Sequence, residues 1–481
     1  MKKQAYNPYL PSWEYIPDGE PYVYDDRLYV FGSHDRFNGT QFCLNDYVCW
    51  SAPVDDLSDW SFEGIIYKKN QDPAAKEDSI MQAPDVEQGS DGRFYLYYTL
   101  GLTPFMTVAV SDKLTGPYEY YGTVQDKNGI PVGMRNGKDL FQFDPGIFRD
   151  EDGRIYLYSG FGPEESMFPE ACSKFYMDGA YVMELEEDMR TLKTEPTYLI
   201  PKIGAAVGTG FEGHEFFEAS SMRKINGKYY FIYSSVLSHE LCYAISDYPN
   251  RDFTFGGILI SNGDIGYHGN EEPLNYTGNT HGSLVCVKGQ WYIFYHRQTN
   301  QHSYSRQACA EPVYIQQNGS IAQAEMTSCG LNGGPLHGEG LYPAYIACNL
   351  MGKNGALAYG LQKTEGVKNH PYFTQTGVDR ESDGDQYIAN MQDGAVAGFK
   401  YFTIESLEKI SVLIKGMGTG YMEVYYDMNL QPICRIPVFS CEKETWFTGY
   451  VQSGVQAENQ ALYLRYVGTG AVDFHSFKLN D

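Results

Sequence analysis

The sequence predicts an all-β protein in which a five-bladed β-propeller is followed by a β-sandwich domain. The main observation is a fivefold repeat of a turn and an alternating aromatic run, which reads DDRLYVF, DGRFYLY, DGRIYLY, NGKYYFIY and KGQWYIF. Aligned on the second turn residue, the copies lie 66, 61, 74 and 62 residues apart, at Asp26, Gly92, Gly153, Gly227 and Gly289. Units of this size that each contain a β-hairpin are typical of propeller blades.

The fourth copy has the clearest turn signal. Asn226-Gly227 separates two apolar runs, and this dipeptide favours a two-residue hairpin because both residues tolerate positive φ. The run before the turn, FFEASSMRKI, carries Glu218 among aromatic and small residues. We therefore predict that Glu218 lies on a strand whose partner begins at Lys228.

An acidic or imidazole side chain precedes every turn by seven to nine residues. These residues are Asp18, Asp85, Asp144, Glu218 and His281. The innermost strand of each propeller blade faces the central channel, so equivalent positions on five inner strands would meet near the axis. The alternative is that they cap turns, which is common for Asp beside Gly and Pro. Their shared register favours one site.

Length and composition indicate two domains in an acidic protein. The chain has 481 residues, which exceeds the usual size of one hydrophobic core, and 42% of them are hydrophobic. The formal net charge of −25 argues against nucleic acid or anionic membranes as partners. The 42 Tyr residues suit a sugar-binding cleft, although most are expected to pack within sheets.

The remaining composition bears on location and cofactors. The first residues, MKKQAYNPYLPSWEY, lack the apolar segment of a secretory signal, and no run approaches transmembrane length. We therefore expect a cytoplasmic protein without a membrane partner. The ten Cys are scattered without a CxxC pair, so they are expected to be reduced and mostly buried, without zinc. No organic cofactor is expected, and the oligomeric state is left open.

Two of the repeated acids are expected to differ in protonation. The apolar neighbours of Glu218 disfavour its charged form, which raises the pKa of the carboxyl and suits a general acid. Asp18, in a loop rich in Gly and Glu, is expected to stay ionised and act as a base. Glu20 is a second candidate base, although Asp18 keeps the repeat register. A protonated and an ionised carboxyl are the working parts of a glycosidase.

Two other functions would need different residues. A sugar phosphorylase on a similar scaffold requires a cluster of Arg, Lys or His for phosphate, which four channel carboxylates would repel. A non-catalytic, sugar-binding propeller would use the same acids only for structure. The acidic residues in one register disfavour both alternatives.

Residues 7–322 resemble glycoside hydrolase family 43, the five-bladed propeller enzymes that act on xylan, arabinoxylan and arabinan side chains. The resemblance is carried by IPDGEP, SHD, APDV, FDPGIF, FEASSMRKINGKYY, THGS and YHR. It implies hydrolysis with inversion of the anomeric configuration in a single displacement. It also implies that Asp18 is the general base, that Glu218 is the general acid, and that Asp144 tunes the pKa and orientation of that acid.

The same resemblance implies further site residues and a substrate class. His281 would help to hold a largely water-coordinated calcium ion at the axis, and Arg306 would contact the substrate, with Arg297 as the competing choice. Asp85 is also assigned to substrate binding. The expected reaction releases terminal β-D-xylose or α-L-arabinofuranose, or both, from xylo- or arabinoxylo-oligosaccharides. The sequence does not distinguish the two sugars.

Beyond Ala322 the blade pattern ends. We divide the chain into a catalytic propeller over 1–325, a linker over 326–339, and a β-sandwich over 340–481, where turn residues separate short strand-like runs. The last region resembles a family 6 carbohydrate-binding module in DGDQYIANMQDGAVAGFKYF, GTGYMEV and ALYLRYVGTGAVDF. Trp446 could form a sugar platform there, but we expect it in the core.

Overall fold

The computed structural model describes residues 3–359, 365–451 and 456–480, and nearly all of its regular structure is β-strand. The strands that precede the second domain are, in chain order, β1 (Glu20–Tyr24), β2 (Arg27–Phe31), β3 (Tyr47–Pro53), β4 (Ser61–Tyr67), β5 (Asp85–Gln88), β6 (Phe94–Tyr98), β7 (Thr107–Ser111), β8 (Glu119–Thr123), β9 (Asp139–Leu140), β10 (Gly146–Arg149), β11 (Ile155–Phe161), β12 (Phe175–Tyr176), β13 (Gly179–Leu185), β14 (Thr197–Pro201), β15 (Phe216–Ile225), β16 (Lys228–Ser235), β17 (Glu240–Ser246), β18 (Thr254–Ser261), β19 (Leu284–Val287), β20 (Gln290–Thr299) and β21 (His302–Val313).

Helical structure is short throughout the described residues. One α-helix, α1, covers Pro169–Lys174, and 3₁₀ turns cover Lys69–Gln71, Tyr267–Gly269, Gly330–Asn332, Ala344–Ile346 and Glu365–Asn369. None of these helices has the length and apolar character needed to cross a membrane.

The five predicted repeats form five antiparallel sheets, as expected of blades. The sheets are β1–β4, β5–β8, β10-β11-β13-β14, β15–β18 and the three-stranded β19–β21, while β9 and β12 pair separately. Each repeated turn joins the first two strands of its sheet. In the fourth blade Asn226 and Gly227 have φ of 51° and 80°, and Ile225 pairs with Lys228. The predicted two-residue hairpin is therefore confirmed, with Lys228 beginning the partner strand.

The first and last blades meet and close the ring. A parallel bridge joins Gly19, just before β1, to Gly282, just before β19. The chain before the first blade also lies beside β21: the Tyr9 amide donates to the Ala308 carbonyl at 3.3 Å, and the Asn7 side chain bonds Ala310 through both its nitrogen and its oxygen at 3.0 Å. This segment covers the edge of the last blade, where a fourth strand would otherwise be needed.

The second domain is a sandwich of two six-stranded sheets in the described residues. Its strands are β22 (Leu336–His337), β23 (Gly340–Pro343), β24 (Asn349–Met351), β25 (Tyr372–Thr374), β26 (Tyr387–Met391), β27 (Val396–Ile404), β28 (Lys409–Gly416), β29 (Thr419–Tyr425), β30 (Cys434–Val438), β31 (Cys441–Tyr450), β32 (Ala457–Thr469) and β33 (Val472–Leu479). One sheet runs β22-β27-β32-β29-β30 with β24 on β27, and the other runs β25-β26-β33-β28-β31 with β23 on β33.

The sandwich takes in part of the segment predicted as a linker. Strand β22 lies within 326–339 and pairs in parallel with β27. The two domains also share a core, because Tyr276 of the propeller is buried among the apolar residues of the sandwich. The alternation of apolar and polar residues along the sequence does not reveal β22, because the strand is only two residues long.

The expectation that Trp446 lies in the core is wrong. Its side chain is 40% exposed on the edge strand β31, and the Lys478 ammonium group lies 5.2 Å from the centre of its ring. Successive residues on a strand face opposite sides, and it is the neighbouring Phe447 that packs against the sandwich core.

Candidate active site

The inner ends of the blades bring four of the five repeated residues together near the axis, and Asp85 lies in a separate group described below. Asp18, Asp144 and His281 lie just before the first strands of blades one, three and five, and Glu218 lies near the start of β15. The His281 Nδ1 atom is 3.6 Å from Asp144 Oδ2 and 4.0 Å from Asp18 Oδ1. We call Asp18, Asp144, Glu218 and His281 the catalytic cluster.

The backbone is strained at residues of the catalytic cluster and directly beside them. Asp18 and Asp144 have φ of 58° and 44°, and Ala219, which follows Glu218, has φ of 69°. The pairing of β15 with β16 shifts register on both sides of Glu218. Left-handed backbone at residues with a Cβ costs about 1–3 kcal/mol each and collects at functional sites. Bulges likewise re-aim side chains beside active sites.

A hydrogen bond links Asp144 to the backbone next to Glu218. The Ala219 amide donates a hydrogen bond to Asp144 Oδ2 at 3.2 Å, which fixes the backbone next to Glu218 against the neighbouring blade. Burial, reinforced by the nearby charges of Glu218 and Asp18, raises the pKa of Asp144 well above its usual range.

Aromatic side chains pack together next to the general-acid candidate along the chain. Phe217, which precedes Glu218, lies 5.3 Å from Phe161, and Phe161 lies 5.0 Å from Phe143, which precedes Asp144. Desolvation by burial, followed by repulsion from Asp18, raises the pKa of Glu218 to about 7. Glu218 is only half-buried, so a ligand in the channel can still reach it.

Asp18 has the opposite electrostatic environment. Burial alone would raise the pKa of its carboxyl, but the Arg306 guanidinium, with Nη1 3.0 Å from Asp18 Oδ1, outweighs that effect. The pKa of Asp18 is therefore lowered, and the group is ionised where Glu218 still holds its proton.

Arg306, rather than Arg297, reaches the catalytic cluster. Besides Asp18, its guanidinium binds both oxygens of Asp35 at 2.8 and 3.0 Å and lies 4.6 Å from the Phe42 ring centre. Arg297 points to the sandwich, where its Nη1 donates to the carbonyl of Tyr345 at 2.8 Å. Both arginines are buried. Arg306 thus contacts the base candidate directly, in addition to any contact with substrate.

Asp85 and Glu20 belong to a second polar group deeper in the channel. The Arg223 guanidinium binds Glu20 Oε2 at 2.8 Å, while Asp85 accepts hydrogen bonds from the amide of Ile147 at 2.8 Å and from the Tyr22 hydroxyl. We call Glu20, Asp85 and Arg223 the inner polar cluster. Both oxygens of Asp85 are engaged by neighbouring blades and the residue is fully buried, which favours a bridging role over the predicted substrate contact.

His281 fits a ligand for the calcium ion that the resemblance implies. Its Nδ1 faces the two carboxylates, and its buried Nε2 has no hydrogen-bond partner among the residues described. An imidazole that ligates a metal commonly directs its other nitrogen to a carboxylate. In the described part of the chain His281 and its neighbouring carboxylates do not form a group whose three ligand atoms all lie within 4.8 Å of one another. The arrangement therefore suits an ion coordinated mainly by water.

Sequence reasoning did not identify Asp35 and His296 as site residues. The His296 Nε2 lies 2.8 Å from the Asn279 carbonyl, and its Nδ1 accepts from the Asp18 amide at 3.3 Å. Burial, together with Arg306, lowers the pKa of His296 to about 3, so the ring is neutral. Both residues stand in motifs that carried the family resemblance, SHD and YHR, which is the signal that could have found them.

The chain was compared with known families and curated proteins. The sequence model for glycosyl hydrolases family 43 matches residues 15–321. A xylosidase/arabinosidase of Thermoclostridium stercorarium is 47% identical over all of this chain and 99% of that protein. A xylosidase/arabinosidase of Bacteroides ovatus is 30% identical, over 60% of this chain and 87% of that protein.

Solved structures give the same fold. The GH43_1 enzyme from Xanthomonas citri, complexed with xylose, covers 66% of this chain and 92% of its own, with a TM-score of 0.52 and 25% identity. The family 43 arabinoxylan arabinofuranohydrolase from Bacillus subtilis, in complex with cellotetraose, covers 98% of this chain and 97% of its own at a TM-score of 0.51. At 18% identity the latter likeness shows the two-domain fold alone.

Proposed function

Because the chain belongs to glycosyl hydrolases family 43, and is a glycosidase, we propose that it releases terminal β-D-xylose or α-L-arabinofuranose, or both, from xylo- and arabinoxylo-oligosaccharides. Relatives named xylosidase/arabinosidase and an enzyme complexed with xylose support this substrate class. We also propose a cytoplasmic location, which would suit exo-action on short imported oligosaccharides.

The observation that carries the proposal is the contrast between Asp18, which is paired with Arg306, and Glu218, which forms no ion pair among the described residues of the same site. With its pKa lowered, Asp18 is ionised and can remove a proton from a water molecule as the water attacks the anomeric carbon. With its pKa near 7, Glu218 holds a proton that it can deliver to the departing glycosidic oxygen. The two transfers in one displacement invert the anomeric configuration.

Asp144 assists the acid without needing to transfer a proton itself. Its carboxyl holds the Ala219 amide beside Glu218, and its charge and that of Glu218 disfavour each other in the buried site. The mutual repulsion keeps a proton on the pair at neutral pH, and the hydrogen bond orients the backbone beside Glu218.

The contacts favour Asp18 over Glu20 as the base. Glu20 is fully buried and ion-paired with Arg223 in the inner polar cluster, and its Oε2 also accepts from Ser221. Asp18 instead lies with Asp144 and His281 in the catalytic cluster. Gly19, which follows Asp18, forms a parallel bridge to Gly282 next to the base candidate.

We further propose that a calcium ion organises the channel through His281 and water. One related β-xylosidase/α-arabinofuranosidase has been solved in a form called calcium-free. The unpartnered His281 Nε2, and the Glu20 Oε1 atom that likewise lacks a partner among the residues described, are buried acceptors suited to such an ion and its waters. When bound, calcium would supply positive charge that holds the nearby carboxylates in place.

The test is the hydrolysis of 4-nitrophenyl β-D-xylopyranoside and 4-nitrophenyl α-L-arabinofuranoside by wild type and Glu218→Gln. We expect nitrophenol release from at least one glycoside, a large loss in the variant, and an inverted anomer as the first product in proton NMR. A folded wild-type protein that cleaves neither glycoside would overturn the proposed substrates, and a retained anomer would overturn the single displacement.

A further inference from the structure

Residues 36–45, between β2 and β3, form a loop that covers the Arg306 guanidinium, which lies beside the base candidate Asp18. The Cys43 amide donates to Asp35 Oδ1 at 2.9 Å, and Arg306 Nη2 lies 3.5 Å from Cys43 Sγ. Phe42 lies over the Arg306 guanidinium and meets the Tyr304 ring edge-on, with 4.8 Å between ring centres. The loop therefore places a half-buried aromatic pair next to the catalytic cluster.

This loop contains little regular structure of its own. Neither helix nor strand is assigned within it, and Asn38 and Cys43 both have left-handed backbone, with φ of 55° and 56°. One hydrogen bond closes its tip, from the Gly39 amide to the Arg36 carbonyl at 2.9 Å. Loops of this kind take a single conformation only when their surroundings hold them.

A carboxylate of the second domain holds both ends of the loop. Asp379 Oδ1 accepts a hydrogen bond from the Phe37 amide at 2.7 Å, and Asp379 Oδ2 accepts from the Asn45 side-chain amide at 3.1 Å. Phe37 and Asn45 stand at opposite ends of the loop, so one carboxylate joins them. Hydrogen bonds to an ionised acceptor are stronger than neutral ones.

The segment that carries Asp379 is itself firmly seated on the propeller. It connects β25 to β26, and its Gln375 accepts from the buried Tyr15 hydroxyl at 2.9 Å. At Gly384 the backbone approaches so closely that a Cβ would lie 2.2 Å from Ser12 Oγ. Arg380 braces the segment from within by donating to the carbonyls of Ser382 and Asp383. The position of Asp379 is thus fixed relative to the first blade.

We propose that Asp379 is a positioning residue for glycoside hydrolysis, through which the sandwich domain holds the loop 36–45, with Phe42, as one wall of the substrate site. An aromatic face can pack on the C–H face of a terminal pentose while leaving its hydroxyls free for hydrogen bonds. Displacing such a wall by about 1 Å can cost up to about 10²-fold in catalytic efficiency. The substrate in this proposal rests on the proposed function, but the hydrogen bonds by which Asp379 holds the loop, which we call the clamp, do not.

The test compares Asp379→Ala and Asp379→Asn with Asp383→Asn in the full-length protein. Asp383 is exposed in the same segment, and its substitution removes the same charge while Asn tolerates its φ of 54°. For the glycoside that wild type cleaves, we expect the Asp379→Ala variant to raise KM about tenfold with a smaller change in kcat. The Asp379→Asn variant, which keeps one acceptor oxygen, should lie between, and Asp383→Asn should match wild type.

Amide hydrogen exchange separates the clamp from the reaction. We expect faster exchange in peptides covering 36–45 of the Asp379→Ala variant and unchanged exchange in β11. The pH above which kcat/KM falls should also be the same as in wild type. Wild-type exchange in the loop, or faster exchange with an unchanged KM, would overturn the positioning role. A wild-type protein inactive on both glycosides would overturn the proposed function, whereas exchange in the loop would still decide whether Asp379 holds it.

Discussion

The catalytic cluster and the inner polar cluster lie along the same channel, and an arginine contacts a carboxylate in each, Arg306 from beside the first and Arg223 within the second. Arg223 pairs with Glu20, and Asp85 takes its hydrogen bonds from neighbouring blades. Beside the catalytic cluster Arg306 binds Asp18 and Asp35, and burial and the charge of Asp18 outweigh its lowering effect on the pKa of Glu218. The difference teaches that an arginine partner does not by itself mark a role, because Asp18 and Glu20 each have one, whereas Glu218 forms no ion pair among the described residues.

Accessibility distinguishes Glu218 from the inner carboxyls. Glu218 is half-buried, whereas Glu20 and Asp85 are fully buried. Burial raises the pKa of Asp85 well above its usual range, as it does for Asp144, so a shifted pKa alone does not mark a catalytic acid. A carboxyl must also be accessible to the substrate in order to act as the catalytic acid.

The largest expected difference between the clusters is between the two candidate bases. Asp18→Asn should lower kcat by about 10³-fold because the attacking water loses its general base. Glu20→Gln should change kcat by less than about tenfold, but lower the free energy of unfolding by about 3 kcal/mol because Arg223 is left without its buried partner. Steady-state kinetics and urea unfolding on both variants provide the measurement. The reverse pattern would make Glu20 the base.

A second comparison concerns the acid and the leaving group. Glu218→Gln should lower kcat on xylobiose by about 10³-fold, and by about tenfold or less on 2,4-dinitrophenyl β-D-xylopyranoside, because dinitrophenolate departs without a proton. Asp85→Asn should affect both substrates equally if the inner polar cluster is structural. Equal losses on both substrates in Glu218→Gln would argue that this residue is not the general acid. The comparison applies if wild type cleaves xylosides.

The pH profile should report the catalytic cluster and ignore the inner one. Glu218 must be protonated, so kcat/KM should fall about tenfold per pH unit as pH rises above about 7. Asp18 must be ionised and its pKa is lowered, so the acid limb should appear only below the ordinary range of a carboxyl. The profile of Asp85→Asn should have the same alkaline limb. A shift of the alkaline limb in that variant would show that the inner polar cluster affects the pKa of Glu218.

The smallest expected effect is that of the proposed calcium ion between the clusters. Dialysis against a chelator should lower activity by less than about tenfold, and added calcium should restore it. His281→Ala should show the lower activity from the start and no response to calcium. Full activity and an unchanged unfolding midpoint after chelation would show that the protein needs no calcium ion for activity or stability.

Much of the fold could be predicted because its signals are local. A dipeptide such as Asn226-Gly227 specifies a hairpin through its own backbone preferences, and five such turns at similar spacing imply blades. The register of acids before the turns then indicated Asp18, Asp144 and Glu218, which the structure does bring together. The exposed face of Trp446 was missed because alternation along a strand does not say which of its two sides is covered.

The sequence by itself determined the repeat, the turns, the two-domain order and the chemical types of the channel residues. Only the tertiary structure decided that Asp18 rather than Glu20 faces Arg306, and that Asp85 lies with the deeper group. It also decided that Asp379 holds the first-blade loop. Arg306 and Asp18 are 288 residues apart, and they meet only when the last blade closes on the first. Local preferences act over a few residues, whereas pairing of charges across the ring depends on how all five blades pack.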